Sequence, residues 1–498
     1  MKLTLPAAAA LLLTSTAAMA EIAPQDIIDS WGDYYGRFNG TVTTDAPEKS
    51  GTSTRFSNFV AQTRIMGSTS TYMIEYVDIE SNADGSVNIT FSPDASANIL
   101  MDANGITAEG TASYDIGSLI LHVEGSPEDM RYSFNAPIVT MQLDQTQSEP
   151  ALDLSVSLAL QGLHGTVAST TETQGAMAQS SEMSVGTLSA SVTVEPQNNQ
   201  RTYVTYRGEN VSIAYDMSVS QWPETTDMLS MFFPEDMVFG MTIATGNATT
   251  VVDQSTEGGK GRFTFTQSGG ELTAAYAENA LSYGLTATGA ALSLANTPTQ
   301  PVDFTAAFER FHFGATYPMR KSDTPVPFAF ALALESFTLD DRIWDKLDPE
   351  ATLSRAPASF AFSLNGTIKM FIDLFDQAAI TNMRGTFFEL RSLSLSALSI
   401  DFEGMGLTGE GGVTFNNERI DPMSGLPEPT GTLDFSINGA LGLLDKIGLI
   451  GIGDPMFIIG AKGALGMFAT PNDGPDSFTS RIEFTEGGHI SVNGQQVK

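Results

Sequence analysis

A mainly β chain follows from two features of the sequence: side chains that alternate between apolar and polar or small at each step, and tight-turn dipeptides that interrupt those runs. The expected architecture is an extended, curved antiparallel sheet, a meander of trough-like or taco-like form, with a few short helices at its ends. Leu152, Leu154, Val156, Leu158 and Leu160 alternate with Asp153, Ser155, Ser157 and Ala159. Val211, Ile213, Tyr215, Met217 and Val219 form a second such run, Leu281, Tyr283, Leu285 and Ala287 a third, and Phe328, Phe330, Leu332 and Leu334 a fourth. Successive strand side chains point to opposite faces, so each run has one apolar and one polar or small face.

The turn signals are Asp84-Gly85, Asn104-Gly105, Asn365-Gly366, Asn438-Gly439 and Asn493-Gly494. Asparagine, aspartate and glycine tolerate positive φ, and short turns between alternating runs imply antiparallel pairing. Leu393, Leu395 and Ala397 share one face, whereas Leu398, Ile400 and Phe402 share the other, which predicts a bulge near Ala397 or Leu398. Helices are expected over residues 24–37, around Ile27, Ile28, Trp31 and Tyr35, and over residues 340–353, around Ile343, Trp344 and Leu347. A glycine-interrupted pair is expected over residues 440–450 and 455–468, where each interior glycine costs about 1 kcal/mol relative to alanine. Tyr132, Tyr203 and Tyr276 each precede an alternating strand at similar spacing, the pattern of a weak repeat or of chance among similar strands.

The first 20 residues read as a secretory signal. Lys2 gives a positive start, Ala7 to Leu13 a short apolar stretch, and Ala18-Met19-Ala20 a small-residue cleavage site before Glu21. The protein is therefore expected to be exported to the periplasm, without a transmembrane anchor in the mature chain. Residues 21–300 and 301–498 are expected as two β-rich regions meeting near Pro298 and Pro301, the second with helical segments, or as one continuous structure.

The chain has no cysteine, which excludes disulfides, thiol catalysis and thiolate metal sites. Its 58 acidic residues face only 24 basic ones, a formal charge of -34. Such a surface repels polyanions, so nucleic acid is excluded as a partner and solubility is the simplest role for the charge. Histidines are four, His122, His164, His312 and His489, with no metalloprotease spacing; His312, between Phe311 and Phe313, is expected to point away from their face. No nucleophile elbow, P-loop or dinucleotide fingerprint occurs, and neighbouring acids such as Asp340 and Asp341 arise readily in so acidic a chain. No catalytic, cofactor-binding or metal-binding residue is assigned, and the chain is expected not to be an enzyme.

Two segments carry unusual apolar density. Met228, Met231, Phe232, Phe233 and Phe239 would suit a lid over a hydrophobic ligand, because methionine adapts to irregular apolar shapes; a short helix packed on the sheet would look the same. The stretch from Ala440 to Phe468 is broken by Asp445, Lys446, Asp454 and Lys462, so it caps a β-structure or meets a lipid or partner rather than crossing a membrane.

Trp344, Leu347, Asp348-Pro349, Arg355 and Pro357-Ala358, with the ending Ile482, Phe484, Gly487-Gly488, Ile490, Val492 and Asn493-Gly494, resemble a family of exported Gram-negative proteins known as domain of unknown function 2125. The layout is also similar to β-rich envelope proteins of the AsmA type, a resemblance that implies lipid handling along a folded sheet. It brings no catalytic residues, and the AsmA-type N-terminal anchor has no counterpart here. The resulting expectation is a soluble, non-catalytic periplasmic envelope protein that binds a lipid or another hydrophobic ligand in an apolar trough. The alternatives are a structural or adhesive surface protein, an outer-membrane β-barrel, and a hydrolase supported only by abundant carboxylates. Alternating strands suit the barrel, but the final Val497-Lys498 lacks the aromatic ending usual in such barrels.

Overall fold

The computed structural model describes residues 21–498 apart from 37–39, 66–67, 104–105, 150–151, 172–176, 197–199, 221–232, 257–258, 296–302, 375, 384, 421–424 and 452–453. The signal sequence lies outside the described residues. One large antiparallel sheet dominates the protein, with five short helices among the described residues.

Helix α1 (Pro24–Gly36) opens the chain. The sheet begins with β1 (Thr41–Thr43), β2 (Glu48–Ser50), β3 (Ser53–Ile65) and β4 (Ser68–Ser81). Next come β5 (Val87–Phe91), β6 (Asp94–Ala103), β7 (Ile106–Asp115) and β8 (Ile120–Ser126). The longest strands are β9 (Asp129–Glu149), β10 (Leu152–Thr171), β11 (Met177–Pro196) and β12 (Arg201–Val219). They lead to β13 (Val238–Thr245), β14 (Ala248–Thr256), β15 (Gly259–Gln267), β16 (Gly269–Ala277) and β17 (Ala280–Ala295). β18 (Phe304–Pro318) pairs directly with β17, so the sheet is continuous across residue 300. β19 (Val326–Leu339) is followed by α2 (Asp341–Leu347), β20 (Ala358–Met370) and α3 (Gln377–Asn382). The chain closes with β21 (Phe388–Phe402), β22 (Met405–Ile420), β23 (Pro427–Asn438), α4 (Ala440–Ile450), α5 (Pro455–Phe468), β24 (Thr470–Pro471), β25 (Ser477–Thr485), β26 (His489–Val492) and β27 (Gln495–Gln496).

Pairs such as β5 with β6, and β13 with β14, are halves of one kinked strand: β4 pairs with both of the first two, and β12 with both of the second. The kinks align into a crease across the sheet. Asn58, Gly162, Asn210, Gly289 and Ser336 sit on it with φ of 50°, 66°, 52°, 53° and 52°. At Asn58, Gly162, Asn210 and Gly289 the residue opposite is unpaired as well, so the register runs on unchanged and neighbouring strands bend together, whereas at Ser336 the register with β20 shifts. The break in the pleat also exchanges the faces of everything beyond it. The sequence exploits this: Leu160 before Gly162 and Leu163 after it join one apolar cluster with Val139, Ala136, Val185, Leu188 and Val211. The apolar side thus continues unbroken through the bend. The bulge expected near Ala397 or Leu398 belongs to the same series, where register slips between Leu395 and Leu398.

Several local expectations are corrected. The helix expected over 340–353 stops at Leu347, because Pro349 disfavours helical backbone at Asp348. Asn365-Gly366 is no turn but lies inside β20, where a Cβ on Gly366 would come within 2.7 Å of the Phe328 ring and clash with the Ser392 carbonyl. Glycine there is a close-approach residue. Asn438-Gly439 leads into α4 rather than closing a hairpin, with Gly439 at φ 72°. Asn493-Gly494 does turn β26 into β27, at φ 51° and 77°. The three spaced tyrosines mark no repeat: Tyr132 and Tyr276 stand on the apolar face, whereas Tyr203, opposite Thr193 and Asp253, is on the polar one. Asn104-Gly105 lies outside the described residues.

Candidate functional site

Directly opposed residues on neighbouring strands share a face, so the pairing register traces the surface. Starting at Met183, the row runs through Ile213, Ile243, Leu272, Leu285, Phe313, Leu332, Phe362 and Leu398. Beside it, Tyr215, Met241, Ala274, Tyr283, Ala315, Phe330, Leu364 and Leu395 form a second row. Neither row contains a charge. At the usual strand spacing the first row makes an apolar track roughly 40 Å long. Aromatic rings support it, with Phe313 5.5 Å from Tyr283 and 5.5 Å from Phe330, and Phe330 6.1 Å from Phe362.

Traced the other way from Met183, the row passes Gly165, Phe134, Leu121, Ile89 and Ile79. Here α1 covers it. Pro24 starts the helix, where its missing N–H is no loss, and the Asp26 carboxylate accepts the Ala23 N–H at 2.8 Å. Ile27 and Ile28 then pack with Ile22 onto Val77, Ile79, Val87, Ile89 and Val123. Burying each of these side chains is worth about 1.5–3 kcal/mol. Trp31 stacks on Phe91 at 6.4 Å and meets Phe59 edge-on at 5.6 Å. Under the far flank of the helix a cavity of about 440 Å³ opens between Trp31 and Tyr34 above and Leu121, Tyr132, Phe134 and Val167 below. Burial pushes the Tyr215 hydroxyl up to about 12, with Tyr34 adding to the shift.

Beyond that cavity no helix covers the track among the described residues. Leu272, Tyr283 and Leu285 keep 39, 37 and 45% of their surface exposed. The opposite face is built of small side chains, as in the row Ala214, Thr242, Thr273, Gly284, Gly314, Ala331 and Ser363. It is hollow too, with cavities of about 850 and 330 Å³. The sheet therefore has a polar concavity as well as the apolar one beneath α1.

Of the residues expected to form a lid, Met228, Met231 and Phe232 lie outside the described residues. The other two come together: Phe239 is a β13 residue opposite Tyr276, and the Phe233 ring lies 5.0 Å from the Tyr276 ring. Both join a cluster with Val219, Met237 and Met319 at one end of these strands. Arg320, itself buried, donates to the Phe233 carbonyl at 2.6 Å and ties the segment down.

A second constellation surrounds Asp348 and Arg355. Asp348 has no exposed surface, and its carboxylate accepts the Leu353 N–H at 2.7 Å, which holds it below the usual carboxylate range. Arg355 reaches Asp341 at 3.2 Å and Asp345 at 2.9 Å. From the turn between β21 and β22, Glu403 accepts the Ser354 N–H at 2.6 Å, the Ser354 hydroxyl at 3.0 Å and the Arg355 N–H at 2.9 Å, with Lys446 of α4 at 3.6 Å. Burial pushes this carboxyl up, but those hydrogen bonds and Lys446 outweigh it and hold it low. The carboxylates accept bonds from N–H and hydroxyl groups and clamp the loop before β20 to the base of α4. The signal missed in the sequence was Glu403, 49 residues from its partner Ser354.

Asp340 caps α2 and grips Arg342 through both carboxylate oxygens, which lowers its carboxyl to about 2. The histidines each use a local partner: His122 meets Asn88 at 2.9 Å, His164 the Gly162 carbonyl at 3.2 Å, His312 Thr286 at 3.1 Å on the polar face, and His489 Gln496 at 3.1 Å. Among the described residues no group of three histidines or acids is placed to hold a metal ion, and no helix is long and apolar enough to cross a membrane. No protein-family model matches the chain, and no curated protein is significantly similar to it in sequence.

Proposed function

We propose that this protein is an exported, non-catalytic component of a Gram-negative envelope that holds a lipid or another hydrophobic ligand against the apolar face of its sheet. The observation that carries this reading is the charge-free row from Met183 to Leu398, left open at Leu272 and Leu285. A contiguous apolar surface of this size in water marks a binding site. Acyl chains fit it because the row is long, narrow and without hydrogen-bonding specificity. The secretory start and the resemblance at Trp344, Asp348-Pro349 and Arg355 support the periplasm as its place of work.

The test is native mass spectrometry and solvent extraction of mature protein released by osmotic shock. Co-purifying acyl lipid, depleted at least tenfold in the double variant Leu272→Glu with Leu285→Glu, is the expected result. A wild-type preparation that stays lipid-free when offered lipid overturns the reading.

The hollows on the small-residue face favour a second reading, in which the apolar face is the lipid-facing wall of an outer-membrane barrel. Strand length weighs against it: β9 has 21 residues, whereas a membrane-crossing strand needs about 9–11. Release without detergent sinks the barrel.

A further inference from the structure

The helical hairpin α4–α5 is an insertion between β23 and β25, which are themselves neighbours in the sheet. Its base is firmly built. The Asp476 carboxylate accepts the Leu441 N–H at 2.9 Å and the Gly442 N–H at 2.8 Å, and Ala440 and Leu443 are buried. Its outward side is strongly exposed: Leu449, Met456, Phe457 and Ile459 near the turn are 79, 73, 68 and 65% exposed, and Met467 near the far end of α5 is 70% exposed.

In α5 only Ile458, Ala461, Lys462 and Leu465 are partly covered, the stripe expected to face α4. Ile459, Met456, Met467, Phe457 and Phe468 fan over about half of the helix circumference at 3.6 residues per turn. A single crossing helix from a second copy covers one stripe, not half a circumference. A helix apolar on nearly all sides belongs in a protein core or in lipid.

Charge points the same way. The hairpin's two lysines are both paired, Lys462 with Asp445 and Lys446 with Glu403. Asp445 and Asp454 balance the two lysines, so the hairpin is formally neutral on a chain of formal charge -34. Such an element has no attraction for anionic headgroups, and the acidic body behind it is repelled by them.

We infer that the α4–α5 hairpin is a membrane-docking element that lays its exposed apolar side shallowly in the interface of an electrically neutral, zwitterionic bilayer. Helices of 11 and 14 residues are too short to span it, so the hairpin lies in the interface with Phe457, Ile459 and Met467 among the acyl chains. Binding depends on apolar area, so it is insensitive to salt and weakened by anionic lipid. The inference stands on the hairpin alone; joined with the proposed ligand face, it places the apolar track beside a source or acceptor of lipid.

Flotation of the full mature chain with phosphatidylcholine vesicles tests it, comparing wild type with Phe457→Glu plus Ile459→Glu. Both positions are exposed, so urea unfolding should be unchanged. The expected result is flotation of the wild type, at least a tenfold loss in the double variant, and weaker flotation when a third of the lipid is phosphatidylglycerol. Phe457→Trp should show a blue-shifted emission on the vesicles. Wild-type protein that stays at the bottom of the gradient, or a variant that floats equally well, overturns the inference. So does a wild-type dimer that the double variant converts to monomer without vesicle binding, which would assign the exposed side to a second copy. The lipid content of the sheet, read by native mass spectrometry, is a separate measurement that the hairpin variant leaves unchanged.

Discussion

At the N-terminal end of the sheet Ile79, Ile89 and Val123 have no exposed surface, whereas Leu272, Tyr283 and Leu285 on the same face keep 39, 37 and 45% of theirs. The strands at both places alternate in the same way and pair in the same antiparallel manner. What differs is the second layer. Alternation gives a strand an apolar flank, but only something laid across that flank removes it from water. The 13 residues of α1 do this for the first few strands. Around Leu272, Tyr283 and Leu285 the same chemistry is left partly open to water among the described residues.

The largest effect expected from this contrast is in Ile27→Ala, which empties a fully buried site under α1 and should lower the unfolding free energy by about 2–5 kcal/mol in urea titrations. An effect no larger than that of Leu285→Ala would erase the distinction between the two stretches. The clamp sharpens it from the other end of the sheet. Glu403→Ala leaves the Ser354 and Arg355 N–H groups without their acceptor and should cost about 1–3 kcal/mol in the same titration.

Acid should act through the same carboxylates. Glu403, Asp348 and Asp340 all sit below their ordinary values in the folded state. Their stabilisation is present at neutral pH and is lost as pH falls through the folded values, for Asp340 between 3.8 and about 2. Chemical denaturation at pH 7 and pH 3 should show that loss in the wild type and a smaller one in Glu403→Ala. An equal loss would assign the acid sensitivity elsewhere. The smallest change should come from Leu285→Ala, under about 1 kcal/mol, because the side chain is already half in water. Its effect should appear instead in bound lipid.

Much of the fold was legible because alternation is local. The runs around Val211, Leu281 and Phe328 became β12, β17 and β19, and the slip at Ala397 became a bulge. The crease was not legible as a line, since each strand contributes one ordinary residue, such as Asn58, Asn210 or Ser336, and only pairing aligns them. Helix α1 was legible from Ile27, Ile28, Trp31 and Tyr35, but what it covers depends on strands up to a hundred residues away. Asn365-Gly366 misled because a glycine that makes a turn and a glycine that admits a neighbouring ring look alike in sequence. The Met/Phe segment drew notice by composition, and what the structure places is its end, Phe233 to Phe239, pinned to Tyr276.

The pairing pattern carries one more implication. Among the described residues every strand bonds only to strands close to it along the chain. Growth of such a protein needs no global redesign: adding or deleting two successive strands keeps the direction and facing of all the others. The reach of the oily surface is therefore a ruler graduated in hairpins, each step worth about 9.6 Å at the usual inter-strand spacing.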